Sequence, residues 1–226
     1  MIIIRSLFFN LLFVIFTLLL GVLFLPFLIS STASNKLARF WAATTLFLLR
    51  YICNVNIIFK NNINMFSKGN VFAVRHESAL DTILFINYFK NVKYIMKKEL
   101  QYIPLYGWFA VRCGHILVKR KGAGISLNKM LKEVENKLLE NNKLIIFPHG
   151  TRIKPEQRIK IKPGIFAIYR HTESIIVPVY ISSGKEWERN GFIKNPGIIE
   201  VVFHEPIEAG LQKRQFLELL EAKINP

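Results

Sequence analysis

The stretch VFAVRHESALDTILF, residues 71–85, contains the change of pattern that decides the fold. A short apolar run ends at Arg75 and His76, Asp81 follows five residues after the histidine, and a second apolar run with helical character begins there. The pattern predicts a strand, a sharp turn and a helix, in that order. A histidine oriented by a carboxylate can accept a proton from a hydroxyl, because the carboxylate fixes the ring tautomer and stabilises the cation. His76 and Asp81 are therefore the candidate catalytic residues.

The same residues also fit a purely structural interpretation. Ser78 and Asp81 have the spacing of a capping box, in which two side chains bond to the first free N–H groups of a helix. On that interpretation His76 is an ordinary residue at the end of a strand. Because short motifs often occur by chance, the choice between the two interpretations depends on the rest of the chain.

The overall charge of the chain indicates an anionic partner. The chain has 226 residues, enough for one core with an additional segment, and its 31 lysines and arginines against 15 acidic residues give a net charge of +16. The basic residues are interleaved with apolar ones, which favours a phosphate-bearing substrate or an acidic membrane surface over a basic tail. No reader motif or basic helix for nucleic acid is present in the sequence. The two cysteines, Cys53 and Cys113, predict neither a disulfide framework nor a metal site.

The N-terminal quarter of the chain is predominantly apolar. Residues 6–29 carry no charge and are long enough to cross a bilayer, with a secretory signal as the alternative. Residues 36–52 form a second apolar stretch whose cationic ends and tryptophan suit a headgroup region, although a core helix fits equally well. We expect a membrane-seated helical hairpin over residues 1–53. Since basic residues follow the first apolar run, the main domain, residues 54–226, is expected on the cytoplasmic side.

After the hairpin, short apolar runs alternate with amphipathic stretches. We expect strands at residues 55–59, 71–74, 92–96, 115–118, 144–147, 175–181 and 198–203, and helices at 80–89, 104–111, 125–139, 165–170 and 211–222. This alternation predicts an α/β domain with a mixed, largely parallel sheet flanked by helices.

Three of the expected turns are basic. Lys119 and Arg120 follow one strand, Gly150 and Arg152 follow another, and Lys162 precedes a helix. Each turn taken alone fits a solvated loop. However, the ends of parallel strands collect ligand groups at one edge of a sheet, arginine offers a bidentate fork, and glycine allows close backbone approach. Together with the histidine turn, they predict one site that holds an anion opposite a base.

Four blocks of this sequence resemble the motifs of the glycerolipid acyltransferases, and most closely those of the bacterial 1-acyl-sn-glycerol-3-phosphate (lysophosphatidate) acyltransferases. The blocks are His76-x4-Asp81, Gly114-x5-Arg120, Phe147-Pro148-x-Gly150-Thr151-Arg152 and Ile176-Val177-Pro178-Val179, in the expected order. The resemblance implies that His76, oriented by Asp81, deprotonates the free hydroxyl of a lysophospholipid. The alkoxide then attacks the thioester of acyl-CoA or of an acyl carrier protein, giving phosphatidic acid in phospholipid biosynthesis.

The resemblance also implies a substrate site and a location. The residues expected to bind the acceptor phosphate are Arg120, Gly150, Thr151 and Arg152, with Lys119, His149 and Lys162 as additional candidates. Pro178 falls in the block that shapes the acyl or acceptor pocket and is a further candidate site residue. No metal and no cofactor beyond the thioester co-substrate is expected. The expected location is a bacterial inner membrane.

Three positions depart from the family pattern. His149 stands where the family usually has glutamate, which removes a carboxylate and is expected to place a cation next to the phosphate site. Arg75 replaces a common asparagine, and Lys119 a frequent acidic residue. These departures keep two alternatives open: acylation of another lysolipid, such as a phosphate-free lyso-ornithine lipid, and a non-catalytic protein on the same fold that binds anionic lipid.

Overall fold

The computed structural model describes residues 1–61, 71–119 and 125–225. Its helices are α1 (Ile2–Leu23), α2 (Ser31–Cys53), α3 (Leu80–Tyr88), α4 (Tyr106–Arg112), α5 (Ile125–Leu139), α6 (Gly164–Thr172) and α7 (Lys213–Ile224), with short 3-10 helices at Leu25–Ile29 and Lys98–Tyr102. Its strands are β1 (Val55–Lys60), β2 (Val71–Val74), β3 (Val92–Lys97), β4 (Ile116–Val118), β5 (Lys143–Ile146), β6 (Ile176–Ile181) and β7 (Gly197–Phe203). Every element expected from the sequence is present, and its ends lie close to the expected ones.

The described strands form one sheet of seven strands in the order β1-β7-β6-β2-β5-β3-β4. All neighbouring strands run parallel except β6 and β7, which are antiparallel. The central strand β2 is apolar at all four positions and completely buried, as expected for a parallel strand covered on both faces. The prediction of a mixed, largely parallel sheet flanked by helices is therefore confirmed.

The two faces of the sheet pack against different helices. Phe72 and Val74 of β2 point into a cluster with α1, α2 and α3, whereas Val71 and Ala73 point into a cluster with α5, α6 and α7. This separation follows from the alternation of side chains along a strand. Because β2 lies between β5 and β6 and runs parallel to both, the turns after these three strands meet at one edge of the sheet.

The helices α1 and α2 pack against each other and against the sheet. The indole N–H of Trp41 donates to the hydroxyl of Thr17 at 2.9 Å, and Phe9 meets Trp187 edge-on with 5.5 Å between ring centroids. Within the described residues, α1 is the helix long and apolar enough to cross a membrane. The two helices thus share one core cluster with the sheet.

Candidate active site

His76 and Asp81 form a hydrogen-bonded pair in the turn between β2 and α3. The distance between His76 Nδ1 and Asp81 Oδ2 is 2.8 Å. The same carboxylate oxygen accepts the backbone N–H groups of Glu77 at 2.8 Å and Ser78 at 2.9 Å, and the hydroxyl of Ser183 donates to Oδ1 at 2.5 Å. Asp81 is completely buried. It therefore bonds to the backbone as a cap residue would and orients the histidine as well, so the two interpretations of the sequence are compatible.

The imidazole of His76 is held by the carboxylate of Asp81 and by the ring of Phe147, on which it stacks with 3.8 Å between centroids. The backbone carbonyl of His76 accepts the N–H of Ile153 at 2.8 Å. Since Nδ1 is bonded to the Asp81 carboxylate, Nε2 is the nitrogen left to accept a proton. The side chain is 14% exposed and lines a large cavity. This geometry is suited to a general base that acts on a bound hydroxyl.

The cavity has a volume of about 540 Å³ and two chemically different parts. Its apolar part is formed by side chains of α1, α2 and α4, and its polar part by the turns at the sheet edge. Four residues from the expected site, Gly150, Thr151, Arg152 and Lys162, line it together with His76. Such a combination can hold a molecule with a long apolar tail and an anionic head.

The cavity carries two cations that the sequence reasoning missed. Lys97 at the end of β3 and Arg189 between β6 and β7 both line it. The guanidinium of Arg189 donates to the backbone carbonyl of Arg152 at 3.1 Å. Within the described part of the chain, no aspartate or glutamate lines this cavity and no carboxylate pairs with these two cations or with Arg152 and Lys162. The cavity therefore has an excess of positive charge that suits a phosphate group.

Two of the other expected residues, Lys119 and Pro178, are placed outside the lining. Arg120 lies outside the described residues, and Lys119 is exposed at the end of β4 without lining the cavity. Pro178 is buried in β6, where it is in register with Ala73 of β2. Gly150 adopts a φ of +67°, a backbone conformation that favours glycine, and the turn it forms brings its neighbours to the cavity.

The structure corrects the expectation for His149. Its side chain is 1% exposed, it does not line the cavity, and neither ring nitrogen has a hydrogen-bond partner in the described structure. Burial, followed by the neighbouring Arg75 and His76 side chains, lowers the pKa of His149 to about 4. The imidazole is therefore neutral at neutral pH and adds no cation to the phosphate site.

Arg75 and Glu77, the residues on either side of His76, form a buried ion pair. Arg75 Nε donates to Glu77 Oε1 at 2.6 Å, and both side chains are almost completely buried. The guanidinium also donates to the backbone carbonyl of Pro155 at 2.7 Å and to the side chain of Asn225, while Glu77 Oε2 accepts the N–H of Gly184 at 2.9 Å. Burial raises the pKa of Glu77, and the hydrogen bond from Arg75 opposes this shift. The pair thus connects the catalytic turn to the segments that follow β5 and β6.

Comparison with known proteins gives a consistent assignment. A family model described as Acyltransferase matches residues 54–182. The 1-acyl-sn-glycerol-3-phosphate acyltransferase of Pseudomonas aeruginosa is 26% identical over 169 residues, which are 75% of this chain and 66% of that protein. A protein of the same name from Helicobacter pylori is 34% identical over 122 residues, 53% of this chain and 51% of that protein. The match thus spans from half to just under two thirds of the length of these relatives.

A solved structure has the same architecture. The crystal structure of the 1-acyl-sn-glycerophosphate (LPA) acyltransferase PlsC from Thermotoga maritima is similar to this structure with a TM-score of 0.75. The likeness covers 99% of this chain and 93% of that chain at 17% sequence identity. It shows a shared fold that includes the N-terminal helices.

Proposed function

Because this chain belongs to the acyltransferase family, we propose that it transfers a fatty acyl group from a thioester to the sn-2 hydroxyl of 1-acyl-sn-glycerol 3-phosphate. The donor is acyl-CoA or an acyl carrier protein, and the product is phosphatidic acid. The observation that carries the proposal is the pair of His76 and Asp81, placed in a cavity that is apolar at one part and cationic at another. The names of similar proteins support the same reaction.

The reaction requires one base that later acts as an acid. His76 Nε2 takes the proton of the acceptor hydroxyl as the oxygen attacks the thioester carbonyl carbon, and Asp81 stabilises the imidazolium that forms. The tetrahedral intermediate collapses, the carbon–sulfur bond breaks, and the leaving sulfur takes the proton back from His76. An ester and a free thiol result, and the base is regenerated. The buried hydrogen bonds to Asp81 keep the ring in the required orientation.

The positive charges of the cavity provide the acceptor specificity. We assign the phosphate of the acceptor to Arg152 and Lys162, with Arg120 contributing through its family block and Arg189 through its contact with Arg152. A phosphate-free acceptor would leave these cations without a counter-charge. His149, whose substitution motivated the lyso-ornithine alternative, is buried away from the cavity lining. The geometry therefore favours the phosphate-bearing acceptor.

The N-terminal helices supply the lipid context. We propose that residues 1–53 anchor the enzyme, with α1 in the bilayer and the acyltransferase domain, residues 54–226, at the cytoplasmic surface of a bacterial inner membrane. The exposed apolar side chains along α1 and the basic residues that follow it support this arrangement. The acceptor, an amphiphile, would then reach the cavity from the membrane.

The proposal is tested with purified protein in detergent micelles, lysophosphatidate, and either acyl-CoA or acyl carrier thioester. Loss of a general base typically costs about 10²–10⁴ in rate, so His76→Ala should lose activity by that factor. His171→Ala is the matched control, because His171 is an exposed histidine of α6 outside the cavity lining. Wild-type turnover by His76→Ala would refute the role of the base. Preference for lyso-ornithine lipid in an acceptor panel would refute the acceptor, and lipid binding without turnover of any acceptor would favour a non-catalytic protein.

A further inference from the structure

A second apolar surface lies outside the N-terminal hairpin. The segment between β3 and β4 exposes five large apolar side chains; Tyr106 (45% exposed) lines the cavity, and the other four form what we call the α4 face. They are Tyr102 (73% exposed), Ile103 (44%), Trp108 (47%) and Val111 (46%). A soluble domain rarely leaves such side chains together on its surface, and a patch of this kind marks an interaction site.

The α4 face is continuous with the helix that is long enough to cross a membrane. Leu105 packs against Gly21 of α1 so closely that a Cβ at Gly21 would lie 2.7 Å from Leu105 Cδ1. The cavity runs between these elements, since Leu20 of α1, Trp41 of α2 and Phe109 of α4 all line it. A surface that binds to the exposed side of α1 therefore also lies beside the α4 face.

The connection between the α4 face and α1 is a strained turn. Leu105 has φ 61° and ψ −66°, and the N–H of Tyr106 donates to the carbonyl of Pro104 at 2.7 Å. This is a γ-turn of the rare, strained hand. Strain of this kind persists only where the surrounding structure fixes it, and it clusters at functional sites. Here it places Leu105 on α1 and orients α4 next to it.

The chemistry of the α4 face fits a bilayer surface. Tryptophan and tyrosine are enriched at the level of the headgroups, where one end of the ring is apolar and the other polar. Lys98 and Arg112 flank the face, with Glu99 as the single carboxylate of the segment, and the whole chain carries a net charge of +16. Cations beside an interfacial apolar patch attract anionic lipids.

We propose that the α4 face is a second membrane-docking surface, which lies in the headgroup region of an anionic bilayer beside α1. The protein is then held by the bilayer at two places, and the cavity between α1 and α4 opens toward lipid. The inference extends the proposed anchoring by the hairpin and does not depend on turnover, so its failure is distinguishable from failure of the acyltransferase proposal.

Trp108 allows a direct test, because the chain has only two other tryptophans, Trp41 and Trp187. The full chain is reconstituted into vesicles of phosphatidylcholine and phosphatidylglycerol with and without brominated acyl chains, which quench tryptophan on contact. We expect quenching in the wild type and clearly less in Trp108→Phe, in which the remaining quenching comes from Trp41 of the hairpin, a residue that lines the cavity. Trp187→Phe is the control, since this buried ring packs against α1 and should contribute little to the quenching.

A second variant guards against an altered fold. In Ile103→Asp/Val111→Asp the tryptophans are retained, and we expect quenching of Trp108 to fall while the circular dichroism spectrum stays unchanged. Equal quenching in the wild type and in Trp108→Phe would overturn the proposal. The proposal would also be overturned if aqueous iodide quenched the fluorescence of Trp108 in vesicles as strongly as it does in the unfolded chain. Trp108 shielded from both quenchers in a cross-linked dimer would identify a protein interface instead. Failure of the chain to sediment with vesicles would overturn both the hairpin anchor and the α4 face.

Discussion

Replacing His149 by leucine should make the folded protein less sensitive to acid. The imidazole is buried without a hydrogen-bond partner in the described structure, and its pKa is lowered from 6.5 to about 4. Between these two pH values the unfolded chain takes up a proton at His149 and the folded chain does not, so stability falls as the pH falls through this window. At 1.36 kcal/mol per pH unit, the shift corresponds to about 3 kcal/mol of stability. His149→Leu removes this contribution.

The assay is urea unfolding of the detergent-solubilised wild type and His149→Leu at pH 7 and pH 4. Between the two pH values the wild type should lose about 3 kcal/mol more of its unfolding free energy than the variant. His115, whose pKa burial lowers to about 3, is present in both proteins, so its contribution cancels. At pH 7 the leucine variant should be at least as stable as the wild type, because no hydrogen bond is lost. His171→Leu removes an exposed histidine and controls for the loss of a titratable ring. Identical pH dependence of the wild type and His149→Leu would refute the reasoning.

Two further predictions concern residues that surround the base. Arg75→Met should cost about 3–5 kcal/mol of stability in urea unfolding, because it leaves Glu77 buried without its charged partner. The double variant Arg75→Met/Glu77→Gln should recover part of this stability. If the stability losses of the two single variants simply add up in the double variant, the coupling between the two residues is contradicted. Since the loss of Arg75 raises the pKa of Glu77 further, the stability lost in Arg75→Met should become smaller as the pH falls. Ser183→Ala removes a hydrogen bond to the Asp81 carboxylate, an interaction worth about 1.5–3 kcal/mol, so kcat should fall by about 10- to 100-fold. The KM should stay constant, with partial rescue by Ser183→Thr, and an unchanged kcat would show that the hydroxyl is dispensable.

The sequence was sufficient for the elements and for the contact between His76 and Asp81. Hydrophobic periodicity located the helices and strands, and the spacing of His76 and Asp81 within one turn made their contact predictable, since the contact is local in sequence. The parallel character of the sheet followed from the alternation of strands with helices. Arg152 and Lys162 were expected at the site because turns after parallel strands converge at one edge.

The sequence did not predict contacts between residues that are far apart in the chain, nor the direction in which a side chain points from a turn. Ser183 lies 102 residues after Asp81 and has no local feature that distinguishes it from other loop serines. Arg189 stands in a loop outside the four blocks. His149 follows a strand that ends in the site, but the turn at Gly150 directs its ring into the interior, and no spacing rule indicates which way a turn residue points. One feature of the sequence could have indicated that Arg75 is buried: it is a charged residue directly after a completely apolar strand.

The segment after β6 explains why the hairpin and the base belong to one folded unit. On one side it contacts α1: the N–H of Lys194 donates to the hydroxyl of Ser6 at 2.9 Å, and Asn10 donates to the carbonyl of Phe192 at 2.8 Å. These are polar contacts from a predominantly apolar helix, and they fix its position along the segment. Phe9, which is completely buried, adds the apolar part of the same contact.

On its other side the same segment contacts the turns that carry Asp81 and Arg152. Ser183 bonds to the carboxylate of Asp81, and Arg189 bonds to the backbone of Arg152. The side chain that orients the base and a cation assigned to the phosphate are therefore both held by a segment whose outer surface rests on α1. An O–H···O hydrogen bond requires a distance of about 2.5–3.0 Å between its two oxygens and a nearly straight angle at the hydrogen. One of the hydrogen bonds that orient Asp81 therefore comes from a segment packed on α1, so a helix whose composition suits a membrane anchor contributes, through one loop, to the position of this carboxylate.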